Sequence, residues 1–134
     1  MNRQAAIDQI KQSSPQLSVG ILTADMMNIA PEIQLLEKAG VKLLHIDVMD
    51  GTIWPKITVG AGFLGGLKTK MLKDVHLLID KPEKHIESFA KAGADMITVH
   101  AETEKHLHRS LQFIRSLGVK AGVSVNPHTP VDFL

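Results

Sequence analysis

Five short aliphatic or β-branched runs punctuate the chain, at Val19–Leu22, Leu43–Val48, Asp74–Ile79, Met96–Val99 and Ala121–Val125, and each reads as a buried strand. Between them apolar residues recur at helical spacing: Ile29, Ile33 and Leu36, then Ile86, Phe89 and Ala90, then Leu107, Leu111 and Ile114. Pro31 and Pro82 fall where a first helical turn opens, and Gly40, Gly93 and Gly118 follow the last periodic residues, the expected punctuation of helix ends. Lys38-Ala39-Gly40 and Lys91-Ala92-Gly93 each close a helix and lead straight into a strand, with Ser116-Leu117-Gly118 a looser echo. Strands begin roughly 22 to 31 residues apart, the length of a unit whose helix carries the chain back to a parallel neighbour. The pattern therefore predicts an α/β fold built from a parallel (βα) repeat, preceded by a helical lead-in over residues 1–17. A short helix is expected between the second and third strands, within Val59–Lys70. It is weakened there by Gly60, Gly62, Gly65 and Gly66, each costing about 1 kcal/mol relative to Ala.

Composition narrows the function classes. The 134 residues are 44% hydrophobic and 22% charged, enough apolar material for a packed core. Fifteen Lys and Arg offset fourteen Asp and Glu, and the basic residues are scattered. That pattern offers no footprint for nucleic acid or a membrane surface, and leaves a small neutral or anionic partner. Zero cysteines exclude a disulfide framework, a thiolate metal site and a Cys nucleophile. The longest uncharged stretch, Gln12–Ala24, is too short to span a bilayer, and the N-terminus lacks the apolar run of a signal peptide, so a cytoplasmic location is expected.

Ligands of parallel α/β folds sit beyond the carboxyl ends of the strands, and here those ends are polar. Thr23 and Asp25 follow the first strand. The second carries His45 and Asp47 and runs into Asp50; the third carries His76. His100 and Glu102 close the fourth, and Asn126 and His128 follow the fifth. In His45-Ile46-Asp47-Val48 the imidazole and carboxylate point to one side of the sheet and the two aliphatic residues to the other, and His76, between Val75 and Leu77, repeats this. If the aliphatic side meets the helices, His45, Asp47 and His76 face the interior together, a set of N and O ligands suited to a divalent Zn, Fe, Mn or Co ion. The plainer alternative is a hydrogen-bonded core histidine with Asp47 as its partner. His85, His106 and His108 lie on helices and read as surface residues, and Met26, Met27 and Met96 as packing. A two-His, one-carboxylate oxygenase would use the same residue types, but on antiparallel sheets, which the helix-separated strands argue against.

Gly20-Ile21-Leu22-Thr23-Ala24-Asp25, His45-Ile46-Asp47-Val48-Met49-Asp50-Gly51, Asp74-Val75-His76-Leu77, Val99-His100-Ala101-Glu102 and Asn126-Pro127-His128-Thr129-Pro130, in this order and spacing, resemble the ribulose-phosphate 3-epimerase family from Ser18 onward. The resemblance implies a TIM-type (βα)8 barrel, a divalent metal, and interconversion of ketose phosphates at C3 through an enediolate. It places the metal on His45, Asp47 and His76, makes Asp47 also an acid/base, and sets Gly20, Met49 and His76 against the sugar phosphate. It further implies a homo-oligomer. Three stretches depart from the family pattern: Val19-Gly20 replaces Pro-Ser, Thr52-Ile53-Trp54-Pro55-Lys56 replaces His-Phe-Val-Pro-Asn, and His76-Leu77-Leu78 replaces His-Leu-Met.

A barrel of this type takes eight βα units and about 250 residues. Five strands are legible here, so residues 1–134 are expected to form one incomplete barrel domain, its N-terminal five strands. The expected function is epimerisation of ribulose 5-phosphate to xylulose 5-phosphate. The alternatives are another ketose phosphate such as allulose 6-phosphate, and a half-barrel that turns over nothing. Leu43, Val123 and Val125 are expected to face inward without cover.

Overall fold

A computed structural model describes residues 3–134. The elements run α1 (Arg3–Gln12), β1 (Ser18–Gly20), α2 (Ile29–Lys38), β2 (Leu43–Met49), α3 (Ala61–Gly66), β3 (Leu72–Leu78), α4 (Ile86–Lys91), β4 (Met96–His100), α5 (Leu107–Ser116) and β5 (Lys120–Ser124). All strand pairs are parallel, in the order β1-β2-β3-β4-β5. A doubly wound sheet reverses its strand order part-way, whereas this sequential order is that of a TIM-type barrel wall, here its five N-terminal strands.

The anticipated strands all form, with shifted ends. β3 opens two residues early, at Leu72, because its amide donates to the Lys42 carbonyl (2.9 Å) and Leu72 pairs in register with Leu43. The glycine-rich helix shrinks to the six residues of α3. Gly40, Gly93 and Gly118 adopt φ of 81°, 98° and 75°, left-handed values that let the backbone leave each helix and enter the next strand.

The two sheet faces have different cover. On one, Ile46, Val75 and Ile97 lie in register at 0% exposure and meet Ile33, Leu64, Ile86, Phe89 and Ile114 of the helices. This is the main core. On the other, Leu43 and Leu72 are buried under Ile7 of α1, with Ile10 and Met96 alongside, so α1 closes the amino-terminal end of the interior face. The expectation of uncovered inward residues fails on two counts. Ile7 covers Leu43, and Val123 pairs with Val99, which the period-two alternation places on the helix side. Met26 and Met27 do not pack either; they sit exposed in a 3₁₀ turn. None of the helices among the described residues is long and apolar enough to cross a membrane.

Candidate metal and acid-base site

Above the apolar floor made by α1, the interior face turns polar in rows set by the register. Gly20, His45, Asp74 and Met96 share one level, and Asp47, His76, Thr98 and Gly122 the next. The parallel ladder thus brings together side chains far apart in sequence. His45 Nε2 lies 3.0 Å from Asp47 Oδ1, and His76 Nδ1 lies 2.9 Å from the same oxygen. One carboxylate oxygen is therefore approached by two imidazoles from two strands.

Each imidazole is held on its far side as well. His45 Nδ1 is 2.8 Å from Asp74 Oδ2, which also accepts from Ser18 Oγ at 3.1 Å. His76 Nε2 is 2.9 Å from His100 Nε2, and the two rings meet edge to edge with centroids 4.9 Å apart and planes 19° from parallel. The hydrogen bond to Asp74 leads in raising the His45 pKa to about 9, against the desolvation that would lower it and with help from the Asp74 and Asp47 charges. Burial is the leading effect on His76 and carries its pKa below the usual histidine value, only partly opposed by Asp47. The two imidazoles are thus pushed in opposite directions, His45 toward the cation and His76 toward the neutral ring. Behind Asp47, Thr58 Oγ1 donates to the Asp47 carbonyl (2.8 Å) and accepts from Met49 N (2.9 Å), fixing the end of β2.

His45, Asp47 and His76 can each offer one ligand atom within 4.8 Å of the others. Neighbouring ligands on bonds of about 2.1 Å stand about 3 Å apart, so the 3.0 and 2.9 Å spacings suit one small divalent ion. The donor set, two imidazoles and one carboxylate, is that of borderline transition ions.

A family model, the ribulose-phosphate 3 epimerase family, matches residues 16–134. The chain belongs to this family. Among curated relatives, a ribulose-phosphate 3-epimerase of Bacillus subtilis is 47% identical over 121 residues, 89% of this chain and 56% of that protein. One of Synechocystis is 50% identical over 118 residues, covering 85% and 51%. The ribulose-5-phosphate-3-epimerase, chloroplastic, of Arabidopsis thaliana is 41% identical over 129 residues, covering 93% and 46%. The chain spans about half the length of these relatives.

Measured against the epimerase-family pattern, the rim residues divide. Gly20 lies level with His45, and Met49 in register with Leu78 one step beyond Asp47 and His76. Asp25 instead caps the 3₁₀ turn after β1, accepting from Met27 N (3.0 Å) and Asn28 Nδ2 (2.7 Å). Asp50 ties the β2 and β3 ends together by accepting from Asp80 N at 2.8 Å. His85, His106, His108 and His128 are exposed. Sequence reasoning assigned no role to Asp74 or Ser18 and left His100 unresolved. The signal for Asp74 was present: Asp74-Val75-His76 repeats the alternation of His45-Ile46-Asp47, so its carboxylate had to share the interior face.

Proposed function

We propose that this chain supplies the divalent-metal site and one acid/base of a ribulose-phosphate 3-epimerase, with Asp47 as the group that moves the C3 proton of a ketose phosphate. The observation that carries the reading is the convergence of His45 Nε2, Asp47 Oδ1 and His76 Nδ1 beyond an apolar floor, in a chain of this family. The C3 proton lies α to the C2 carbonyl, so its removal leaves an enediolate. A bound divalent cation would supply positive charge beside the enediolate oxygens. Asp47 turns Oδ1 toward the two imidazoles, which leaves Oδ2 to take and return the proton. Met49 and Leu78, side by side at the strand ends, would form an apolar wall that keeps water from the carbanionic carbon. Inversion needs a second acid on the opposite face of the sugar. Asp74 does not serve, because it is engaged by His45 and Ser18.

The test is solvent exchange. The chain, a divalent metal and ribulose 5-phosphate are incubated in deuterated water, and label at C3 and product are followed by NMR. Exchange at C3 without net xylulose 5-phosphate is expected, with loss of exchange in Asp47→Asn and no change in His85→Ala. Equal exchange in Asp47→Asn, or none in the unmodified chain, would overturn the assignment.

A further inference from the structure

His100 is buried, with 4% of its surface exposed, and the proposed site does not need it as a ligand. Its Nε2 nonetheless meets His76 Nε2 at 2.9 Å, a contact in which one nitrogen must carry a proton and the other must not. Without a metal, Asp47 fixes which. His76 Nδ1 lies 2.9 Å from Asp47 Oδ1, which can only accept, so the ring's proton sits on Nδ1, its Nε2 is bare and His100 Nε2–H donates. The His100 proton is then spent, and its Nδ1 is left as a buried lone pair. Nδ1 indeed has no hydrogen-bond partner among the described residues, although Glu102 Oε2 stands only 3.4 Å away. A carboxylate facing a bare imidazole nitrogen is an unsatisfied arrangement in a buried place.

A cation reverses these requirements. To give Nδ1 to a metal, His76 must move its proton to Nε2, and His100 must then accept through Nε2. The His100 proton passes to Nδ1, where the Glu102 carboxylate waits. No proton is gained or lost between the two rings, and the orphaned atom acquires its partner. Glu102 is itself anchored, since its Oε1 accepts from Asn126 N at 2.6 Å and from Thr129 Oγ1.

We propose that Glu102 and His100 are positioning residues that set the tautomer and ring orientation of His76 for metal binding. This rests on the metal-site reading above. The general precedent is physical: a ligating histidine whose outer nitrogen is held by an acceptor is a better oriented and more basic ligand, and loss of such a support weakens metal binding about 10- to 100-fold.

The experiment measures Co(II) affinity by chelator competition, the Co(II) absorption spectrum, and the imidazole ¹⁵N shifts of His100 with and without Zn(II). His100→Phe keeps a ring against His76 but no acceptor, and should bind Co(II) 10- to 100-fold more weakly with an altered spectrum. His100→Gln restores an acceptor and should recover most of the affinity. Glu102→Gln can keep both loop contacts through its oxygen while its amide donates to His100 Nδ1, favouring the wrong tautomer, so it too should bind more weakly. Zn(II) should move the His100 proton from Nε2 to Nδ1. Should His100→Phe fail to fold, Glu102→Gln and the ¹⁵N shifts decide. Unchanged affinity in Glu102→Gln or His100→Phe, a Gln variant as weak as Phe, or a proton that stays on Nε2 would overturn the proposal while leaving the metal site standing. No uptake of Co(II) or Zn(II) by the unmodified chain would overturn both.

Discussion

Asp74 Oδ2 stands 2.8 Å from His45 Nδ1, on the side of the ring away from Asp47. The carboxylate thus fixes the imidazole plane and leaves Nε2 facing the interior, and it holds a proton on His45 up to about pH 9.

That proton makes stability depend on pH. The folded-state pKa of about 9 lies above the value of about 6.5 expected in the unfolded chain. The His45–Asp74 contribution is therefore fully present below about pH 6.5 and fades as pH rises through 9, by roughly 3 kcal/mol at most. Chelator-treated protein should show a falling urea midpoint between pH 7 and pH 10, and Asp74→Asn should flatten that slope. Divalent metal must displace the same proton, so its affinity should rise with pH over the same window.

Gly122 pairs in register with Thr98, and a Cβ built on it would collide with Thr98 Oγ1 and come within 3.3 Å of Thr98 Cβ. Gly122→Ala should cost about 1–3 kcal/mol, the usual penalty for overpacking. Thr98→Ala in the same chain removes the nearest atom and should recover much of the loss. Denaturant melts of the two single variants and the double variant give the coupling; purely additive losses would rule out the collision.

Ile7 is the residue through which α1 covers Leu43 and Leu72. Truncation by Ile7→Ala removes part of a small satellite cluster, with an expected cost of about 2 kcal/mol. Because the floor lies below the His45 level, Co(II) affinity should be unchanged in the folded variant. A loss of affinity larger than the loss of stability would mean that α1 shapes the site directly.

Glu102 is subject to desolvation, which pushes its pKa up, but hydrogen bonds from Thr129 and Asn126 outweigh it and hold the carboxyl at about 2. With a folded pKa below the unfolded one, its contribution is present above about pH 4.5 and lost as pH falls through 2. At neutral pH, Glu102→Ala should release the Asn126 amide, seen as faster hydrogen exchange there than in the unmodified chain. Exchange at Ile46, in the main core, should not change.

The central part of the site was readable because period two leaves no freedom: once Ile46 and Val75 belong to the helix-covered face, His45, Asp47 and His76 must share the other. The same rule placed Asp74, yet its role depended on distance. Only the register, His45 against Asp74 and Asp47 against His76, shows which carboxylate braces which ring. The His76–His100 contact was less accessible still. His100 is the last residue of β4, beyond the stretch where β3 and β4 are in register, and its ring reaches back to meet His76 through Nε2. The cover over Leu43 escaped prediction for a related reason, since a lead-in helix carries no local signal for the surface it docks on. Polar strand ends also proved an ambiguous cue: Asp25 and Asp50 satisfy backbone amides of turns and lie outside the His–Asp–His group.

The sequential strand order also bears on biosynthesis. Each strand pairs only with its neighbours in the chain, so β1 and β2 can begin to dock while later units are still inside the ribosome. The histidine cluster cannot mature so early. His45 finds its brace 29 residues downstream at Asp74, and Ser18 waits 56 residues for the same carboxylate. Until β3 has emerged, His45 and Asp47 stand on an open edge as a two-residue fragment of the site, and the nascent chain passes through that stage before it can hold an ion between two strands.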